Sequence, residues 1–283
     1  MLFLKSFELA NESEICCGAY PFDIFPLKCL EHLEFKVPIT ILYGGNGSGK
    51  TTLLNIIAEK LNINRVALYN CTAKFNDYVE MCDYSLENEI PRNSMMITSD
   101  DVFNYILNMR AVNQNINFAR NELFKEYDRI KKTDRKDLLR IDFGDKKSVA
   151  AFDLNMAILK KSKSRFVREN LVSNVREYSN GENALRYFHE KIDENALYLL
   201  DEPENSLSPK MQIQLAKYIE ASARGCGCQF IISTHSPFLL AMNWTRIYDL
   251  DSVPVAVRKW TEVENVKIYR GFFKEHEGEF GDE

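Results

Sequence analysis

The stretch ILYGGNGSGKTTLLNII, residues 41–57, decides how the rest of the chain is read. It matches the pattern G-x-x-x-x-G-K-[ST] at Gly44, Gly49, Lys50 and Thr51. In such a loop consecutive backbone N–H groups face an anion and pass it to a helix N-terminus, and glycines are needed because bulkier residues would hold the phosphates away. The candidate loop comprises Gly44, Gly45, Asn46, Gly47, Ser48, Gly49, Lys50, Thr51 and Thr52. Lys50 is expected to reach the β- and γ-phosphates as a point charge, and the Thr51 hydroxyl to ligate the Mg²⁺ that bridges them. The flanks agree: VPITILY reads as a buried strand, and TTLLNIIAEKL places Leu53, Leu54, Ile57 and Leu61 on one helical face. A glycine-rich strand-to-helix turn without a ligand is the competing reading.

Three further stations lie downstream. In NALYLLDEPENSLSP, residues 195–209, the apolar run Ala196 to Leu200 precedes Asp201 and Glu202. This predicts a buried parallel strand that delivers two carboxylates at its C-terminal edge, where α/β sheets bind ligands. Asp201 would hold Mg²⁺ directly or through water, and Glu202 would polarise the attacking water as general base; the alternative is a solvated acidic turn closed by Pro203. FIISTHSPFLL, residues 230–240, predicts another buried strand, with His235 at its end. Its imidazole is placed to bridge a γ-phosphate and a hydrolytic water, although a lone strand histidine also occurs as an ordinary core or surface residue. In VREYSNGENALRYFHEKI, residues 175–192, Ser179 and Glu182 form a capping box ahead of an amphipathic helix carrying Leu185, Phe188 and Ile192. Gly181 is a poor first-turn residue, but it lets N–H groups approach an anion from outside.

The 283 residues suffice for one large α/β domain with an insertion or two modest domains. The seven cysteines follow no disulfide or zinc spacing, which points to a reducing compartment, the cytoplasm. The N-terminus lacks the basic head and long apolar stretch of a signal peptide, and no run approaches the ~20 apolar residues of a membrane span; no membrane partner is expected. A net charge of -5 argues against a globally basic nucleic-acid binder. Residues 120–176, however, carry 16 Lys+Arg against 9 Asp+Glu, a local +7. The predicted division is 1–100 (N-terminal strands and phosphate-loop half), 101–176 (basic helical insertion) and 177–283 (the remaining core, terminal strands and an acidic tail). Helix-like stretches at DVFNYILNMRAV, INFARNELFKEYDRI and SVAAFDLNMAILKK without a sustained heptad predict a compact helical lid. Its charge could track the phosphate backbone of DNA, and a solvated helical surface has the same composition. VAVRKW and NVKIYRGFF read as strands and KEHEGEFGDE as a frayed tail.

Together GGNGSGKT, YSNGE, YLLDEPENS and STHS, in this order, resemble the phosphate loop, signature, Asp-Glu strand end and switch histidine of ATP-binding-cassette ATPases. SNGE, DEPENSLSP and THSPFLL look more like the SMC, RecF and OLD-type branch than transporter cassettes, and above all like small stand-alone bacterial "AAA family" ATPases. Some relatives of those serve in phage defence or DNA repair. The resemblance implies an α/β P-loop NTPase with a mixed central sheet, N-terminal antiparallel strands and a helical insertion. It implies an ATPase with ATP and Mg²⁺ as cofactors, catalytic Glu202, His235 and Lys50, and metal ligands Thr51 and Asp201. It further implies a head-to-tail homodimer on ATP binding, in which Ser179 and Gly181 of the partner subunit complete each site, coupled to DNA or a separate effector. Asn205, Ser206, Leu207 and Ser208 would form the loop that communicates across the interface, with Ser208 where an Asp is common.

Two features depart from that pattern. The glutamine of the family is not apparent, and MMITSDDVF, residues 95–103, offers Ser99 or Asp100 instead, unless these only cap the following helix. For adenine stacking, Tyr20, Phe22 or Phe25 are the candidates, against the alternative that they are core. Two rival functions remain: a transporter nucleotide-binding subunit, and a non-hydrolysing ATP-bound scaffold or sensor.

Overall fold

The computed structural model describes residues 1–10, 20–22, 24–25, 28–69, 71–133, 152, 156, 162–170 and 179–280. The chain divides into two compact units, one formed by Met1–Asn104 with Ser179–Glu283 and the other by Tyr105–Tyr178.

The first unit holds two sheets. Strands β1 (Leu4–Glu8), β2 (His32–Glu34) and β4 (Asp83–Leu86) pair antiparallel in the order β2-β1-β4. The larger sheet has the order β5-β6-β7-β3-β8-β9 and comprises β3 (Ile39–Tyr43), β5 (Met95–Thr98), β6 (Leu197–Asp201), β7 (Gln229–Ser233), β8 (Thr245–Asp249) and β9 (Ala256–Arg258). Its first five strands run parallel, and β9 closes the edge antiparallel to β8. This is the mixed sheet with N-terminal antiparallel strands that the sequence predicts. β3, β6 and β7 read ITILY, LYLLD and QFIIS and are buried at every position, as parallel strands are when helices cover both faces. Buried Gln229 links the sheets: its Oε1 accepts from the N–H groups of Phe3 and Leu4 at 2.7 and 2.9 Å, and its Nε2 donates to the Leu4 carbonyl at 2.8 Å.

Helix α1 (Lys50–Lys60) turns Leu53, Leu54, Ile56 and Ile57 fully into the core with Leu199 and Ile231. Each such burial is worth about 1.5–3 kcal/mol. Helix α2 (Ala73–Met81) is capped by Thr72, whose hydroxyl accepts from the Phe75 N–H, and it buries Phe75 and Tyr78 in the same core. Register places Thr98, Asp201, Ser233, Leu42 and Tyr248 in one row across five strands. The carboxyl ends of these strands are thereby level, and the functional side chains gather beyond them.

Helix α3 (Ser99–Lys132) starts at the end of β5 and continues into the second unit. The two predicted stretches between residues 101 and 130 are therefore parts of one helix of 34 residues. Neither Gly nor Pro interrupts them, so nothing local stops the hydrogen-bond ladder. Within the second unit, α4 (Lys163–Asn170) packs Phe166 and Val167 against Ile130, Leu123, Phe124 and Tyr127. The stretch SVAAFDLNMAILKK lies outside the described residues except for Phe152 and Met156, both helical.

The first unit resumes with α5 (Asn180–Lys191), α6 (Pro209–Gly225), α7 (Pro237–Leu240) and α8 (Glu264–Glu275). VAVRKW supplies β9, but NVKIYRGFF is helical, as part of α8, and corrects the predicted terminal strand. Its strand-forming residues are overruled by spacing: Val266 is buried, and Tyr269, Arg270 and Phe273 recur at three- and four-residue intervals on one helical face that lines a single cavity. The acidic tail forms a short exposed 3₁₀ turn at Glu277–Glu279. No described helix is long and apolar enough to cross a membrane.

Candidate functional site

Between β3 and α1 the chain turns through Gly44–Gly49. Gly47 and Gly49 take φ of 80° and 96°, the left-handed region that glycine enters freely. A Cβ on Gly44 would lie 2.6 Å from Ser48 Oγ, an atom that is itself buried without a hydrogen-bond partner. Gly49 caps α1 without any side-chain hydrogen bond, so the first-turn N–H groups have neither intrahelical acceptor nor side-chain cap. Lys50, only 5% exposed, folds back over the loop and donates from Nζ to the carbonyls of Gly44 and Gly45 at 2.8 and 3.0 Å. Burial pushes its pKa down, against the pull of the Glu202 and Asp201 carboxylates. The result is a loop whose helix-end N–H donors stay open, with the Lys50 ammonium folded beside them.

The next strand end supplies the opposite charge. Asp201 is 8% exposed, and its Oδ1 accepts from Thr51 Oγ1 at 3.0 Å and Ser233 Oγ at 2.5 Å. Burial pushes the carboxyl pKa up, and these two hydrogen bonds partly offset it. A hydroxyl and a carboxylate side by side form a hard oxygen donor set, which fits Mg²⁺. Among the described residues no group of three His, Cys, Asp or Glu side chains could hold a metal. A divalent ion at Thr51 and Asp201 would thus complete its shell with phosphate oxygens and water, as Mg²⁺ commonly does.

One residue further, Glu202 sits at φ 47°, held there by its N–H, which donates to the Ser233 carbonyl at 3.0 Å and to Ser233 Oγ at 3.2 Å. Its Oε2 accepts from Asn205 Nδ2 at 2.9 Å, and its Oε1 lies 3.6 Å from His235 Nε2, within ion-pair reach once the imidazole is protonated. That Nε2 is buried without a hydrogen-bond partner. The loop carrying His235 is fixed by Glu204, 8% exposed, whose Oε1 accepts from Thr234 Oγ1, His235 N and Ser236 N at 2.7, 2.7 and 3.1 Å. Asn265 of α8 donates from Nδ2 to the His235 carbonyl at 2.5 Å and from its N–H to the Tyr43 hydroxyl at 3.0 Å.

A family model described as ABC transporter matches residues 33–205, more than half of the chain and inclusive of both the loop and the Asp201–Glu202 strand end. The chain belongs to this ABC family. A second model, described as AAA ATPase domain, matches residues 182–240 of the ABC ATPase. No curated protein matches it. Among solved structures, the Smc head domain of Pyrococcus furiosus with an extended coiled coil, bound to the C-terminal domain of ScpA, is 13% identical. The alignment covers 98% of this chain and 100% of that one, with a TM-score of 0.44. An ATP-binding cassette in a dimeric post-hydrolysis state bound to ADP and Pi is 17% identical over 92% of this chain and 99% of that one, with a TM-score of 0.39.

In the ABC ATPase the candidate residues fall into two places. Lys50, Thr51, Asp201, Glu202 and His235 converge at the carboxyl edge of the sheet. Ser179 and Gly181 stand at the N-terminus of α5, where Ser179 Oγ accepts from the Glu182 N–H at 3.3 Å and Glu182 Oε2 accepts from Ser179 N at 2.8 Å, a complete capping box. A Cβ on Gly181 would meet Met211 Sδ at 2.3 Å, so packing against α6 adds a reason for glycine there.

Of the aromatics, Phe22 and Phe25 are core residues, 6% and 0% exposed, and lie in turns, which removes them as adenine platforms. Tyr20 is 42% exposed, and its hydroxyl donates to Thr52 Oγ1 at 3.1 Å. At the end of β5, Ser99 is half-buried and Asp100 exposed, but the buried residue is Asp101. Asp101 Oδ2 accepts from the N–H and hydroxyl of Thr98 at 2.8 and 2.9 Å, while Oδ1 is buried without a partner. The helix is capped here, but by Thr98, whose Oγ1 accepts from the Asp101 N–H at 3.3 Å, and not by Ser99 or Asp100. Sequence reasoning assigned no role to Asp101, Ser233, Glu204, Asn265 or Asp251, the last of which accepts from the Gly45 N–H at 2.6 Å. Only Thr98-x-x-Asp101 carried a local signal; the others depend on long-range pairing.

Proposed function

We propose that the chain is a Mg²⁺-dependent ATPase that closes as a head-to-tail homodimer on binding ATP and opens on hydrolysis. The observation that carries the reading is the meeting of Lys50, Thr51, Asp201, Glu202 and His235 at one sheet edge. Lys50 leaves the Gly44 and Gly45 carbonyls for the β- and γ-phosphates, and the uncapped N–H groups of α1 hold the phosphate oxygens. Thr51 and Asp201 hold the metal, with Ser233 fixing the Asp201 carboxylate; Mg²⁺, when bound, neutralises the charge that builds on the phosphate oxygens. Glu202, steadied by Asn205, orients a water for in-line attack on the γ-phosphorus and takes its proton, as the β–γ bridging P–O bond breaks and ADP leaves with the electron pair. His235 spans Glu202 and the γ-phosphate. Ser179 and Gly181 of the partner subunit close the site from the other side.

We further infer that the motion is passed to DNA or to a separate effector in the reducing interior of the cell, in genome maintenance or phage defence. The local +7 of residues 120–176 supports a nucleic-acid contact. Several of its described cations already have carboxylate partners, among them Lys125–Glu122, Arg129–Glu126 and Lys163–Asp128, which favours a separate effector. The deciding experiment is the solution mass of Glu202→Gln with and without Mg-ATP, repeated with DNA. Doubling with Mg-ATP is expected; ATP binding without any change of mass overturns the shared-site scheme.

A further inference from the structure

Three cavities lie in a row along one side of α6. The first, about 680 Å³, lies between the His235 loop and α8, with Phe238, Trp260, Tyr269 and Phe273 in its walls. The second, about 360 Å³, shares Pro237, Phe238 and Trp260 with the first; the third, about 510 Å³, shares Lys217, Glu220 and Asn243 with the second and ends at Trp244. Shared walls make them one groove. The 17 residues of α6 span about 25 Å at ~1.5 Å each, a length that an extended segment of roughly seven residues covers. Trp260, Tyr269, Phe273 and Trp244 are 40–53% exposed, an apolar investment of the kind that marks an interaction site.

The charge along the groove has a sign. Lys267 and Arg270 flank the first cavity, Lys217 the other two and Arg224 the third, where its guanidinium lies 4.8 Å over the Trp244 ring, and none of the four has a carboxylate partner among the described residues. The carboxylates nearby are engaged: Glu204 holds the His235 loop, and Glu220 Oε1 accepts from Asn243 N and Nδ2 at 2.6 and 2.9 Å. A chain of net charge -5 therefore presents a locally cationic, aromatic groove. We propose that this groove binds an extended acidic segment of a partner protein, with aromatic or large aliphatic side chains seated in the cavities and carboxylates on Lys267, Arg270 and Lys217. A nucleic-acid strand of that length fits less well. At one phosphate per ~3.4 Å it brings about seven charges to four cations, whereas an acidic peptide spaces fewer charges among side chains that fill the apolar cavities. The groove also reaches the switch: Pro237 and Phe238 follow directly on His235 and Ser236, and Asn265 holds the His235 carbonyl from α8. An occupant thus touches both sides of the loop that sets His235 against Glu202. This consequence rests on the ATPase reading above, whereas binding itself does not.

The test is to pan a displayed library of random octapeptides on the full chain and titrate the recovered peptides by intrinsic fluorescence. The chain has two tryptophans, Trp244 and Trp260, and both line the groove. Recovered sequences are expected to be rich in Asp and Glu with aromatic or leucine side chains, to shift tryptophan emission, and to bind Lys267→Glu/Arg270→Glu about tenfold or more weakly. ATP binding by that variant, whose changes are both on the exposed face of α8, checks that it is folded. The proposal is overturned if the sequences show no acidic bias, if the variant binds them equally, or if oligothymidine binds more tightly and displaces them. Peptide binding without ATP turnover would instead retire the ATPase reading and leave the groove standing.

Discussion

Two helix N-termini in this ABC ATPase, those of α1 and α5, are finished in opposite ways. That of α1 is left open: Gly49 offers no cap, and Lys50 waits on loop carbonyls. That of α5 is closed on itself, with Ser179 and Glu182 satisfying each other's backbone N–H groups. The open end sits at a sheet edge between other functional side chains, so a ligand is needed to complete it. The closed end already holds a carboxylate where a phosphate from a partner subunit would come. In the dimer proposed above, an incoming anion there would compete with Glu182, so that closure would be conditional and opening easy.

The contrast can be broken at its strong end first. Lys50→Ala should cut steady-state phosphate release by roughly 10²–10³-fold, the scale of losing one preorganised donor to developing charge; near-normal release would mean that the open end is not where chemistry occurs. A smaller effect sharpens the closed end. Glu182→Gln keeps a group able to reach the Ser179 N–H but removes its charge, and should tighten Mg-ATP-dependent dimerisation about two- to fivefold, matching ~0.3–1 kcal/mol for a charge at a helix terminus. Sedimentation across a concentration series reads it, and weaker dimerisation would show that Glu182 helps the partner rather than opposing it. The smallest effect concerns folding alone. Burial raises the Asp201 pKa, so the ionised form costs stability above the folded pKa, and the cost disappears as pH falls through it. Asp201→Asn should therefore raise the nucleotide-free melting temperature at neutral pH. The gain should shrink on acidification, and also when Mg-ATP is added, since losing one metal ligand leaves the variant binding it more weakly than the wild type. A variant less stable than wild type at neutral pH would contradict the assignment.

The features legible in the sequence are those written as consecutive residues. ITILYGGNGSGKTTLLNII carries its strand, its turn and its helix within one short run, and LYLLDE and the Ser179 capping box are likewise written as consecutive residues. The strand-end reading points to Ser99 and Asp100, one residue short of Asp101, because a capping box places its acid at the third helical position. Phe22 and Phe25 were weighed as platforms, but at a given position composition does not distinguish an exposed ring from a buried one. NVKIYRGFF was misread because its β-branched and aromatic residues suggest a strand; the alternative, Val266, Tyr269 or Arg270, and Phe273 on one helical face, was present in the same letters. Glu204, Asn265 and Asp251 act on residues 30 to 222 positions away, and such contacts exist only once the strand order is set.

Glu202 stands in the left-handed region at φ 47°, a conformation that costs a side chain such as glutamate about 1–3 kcal/mol and glycine far less. At this position the chemistry proposed above and the backbone conformation call for different amino acids. A population of variants sorted only for heat resistance, with no demand for turnover, should therefore lose glutamate here early, drifting to glycine or asparagine. Retention of Glu202 under such sorting would show that the carboxylate serves the fold as well as the reaction.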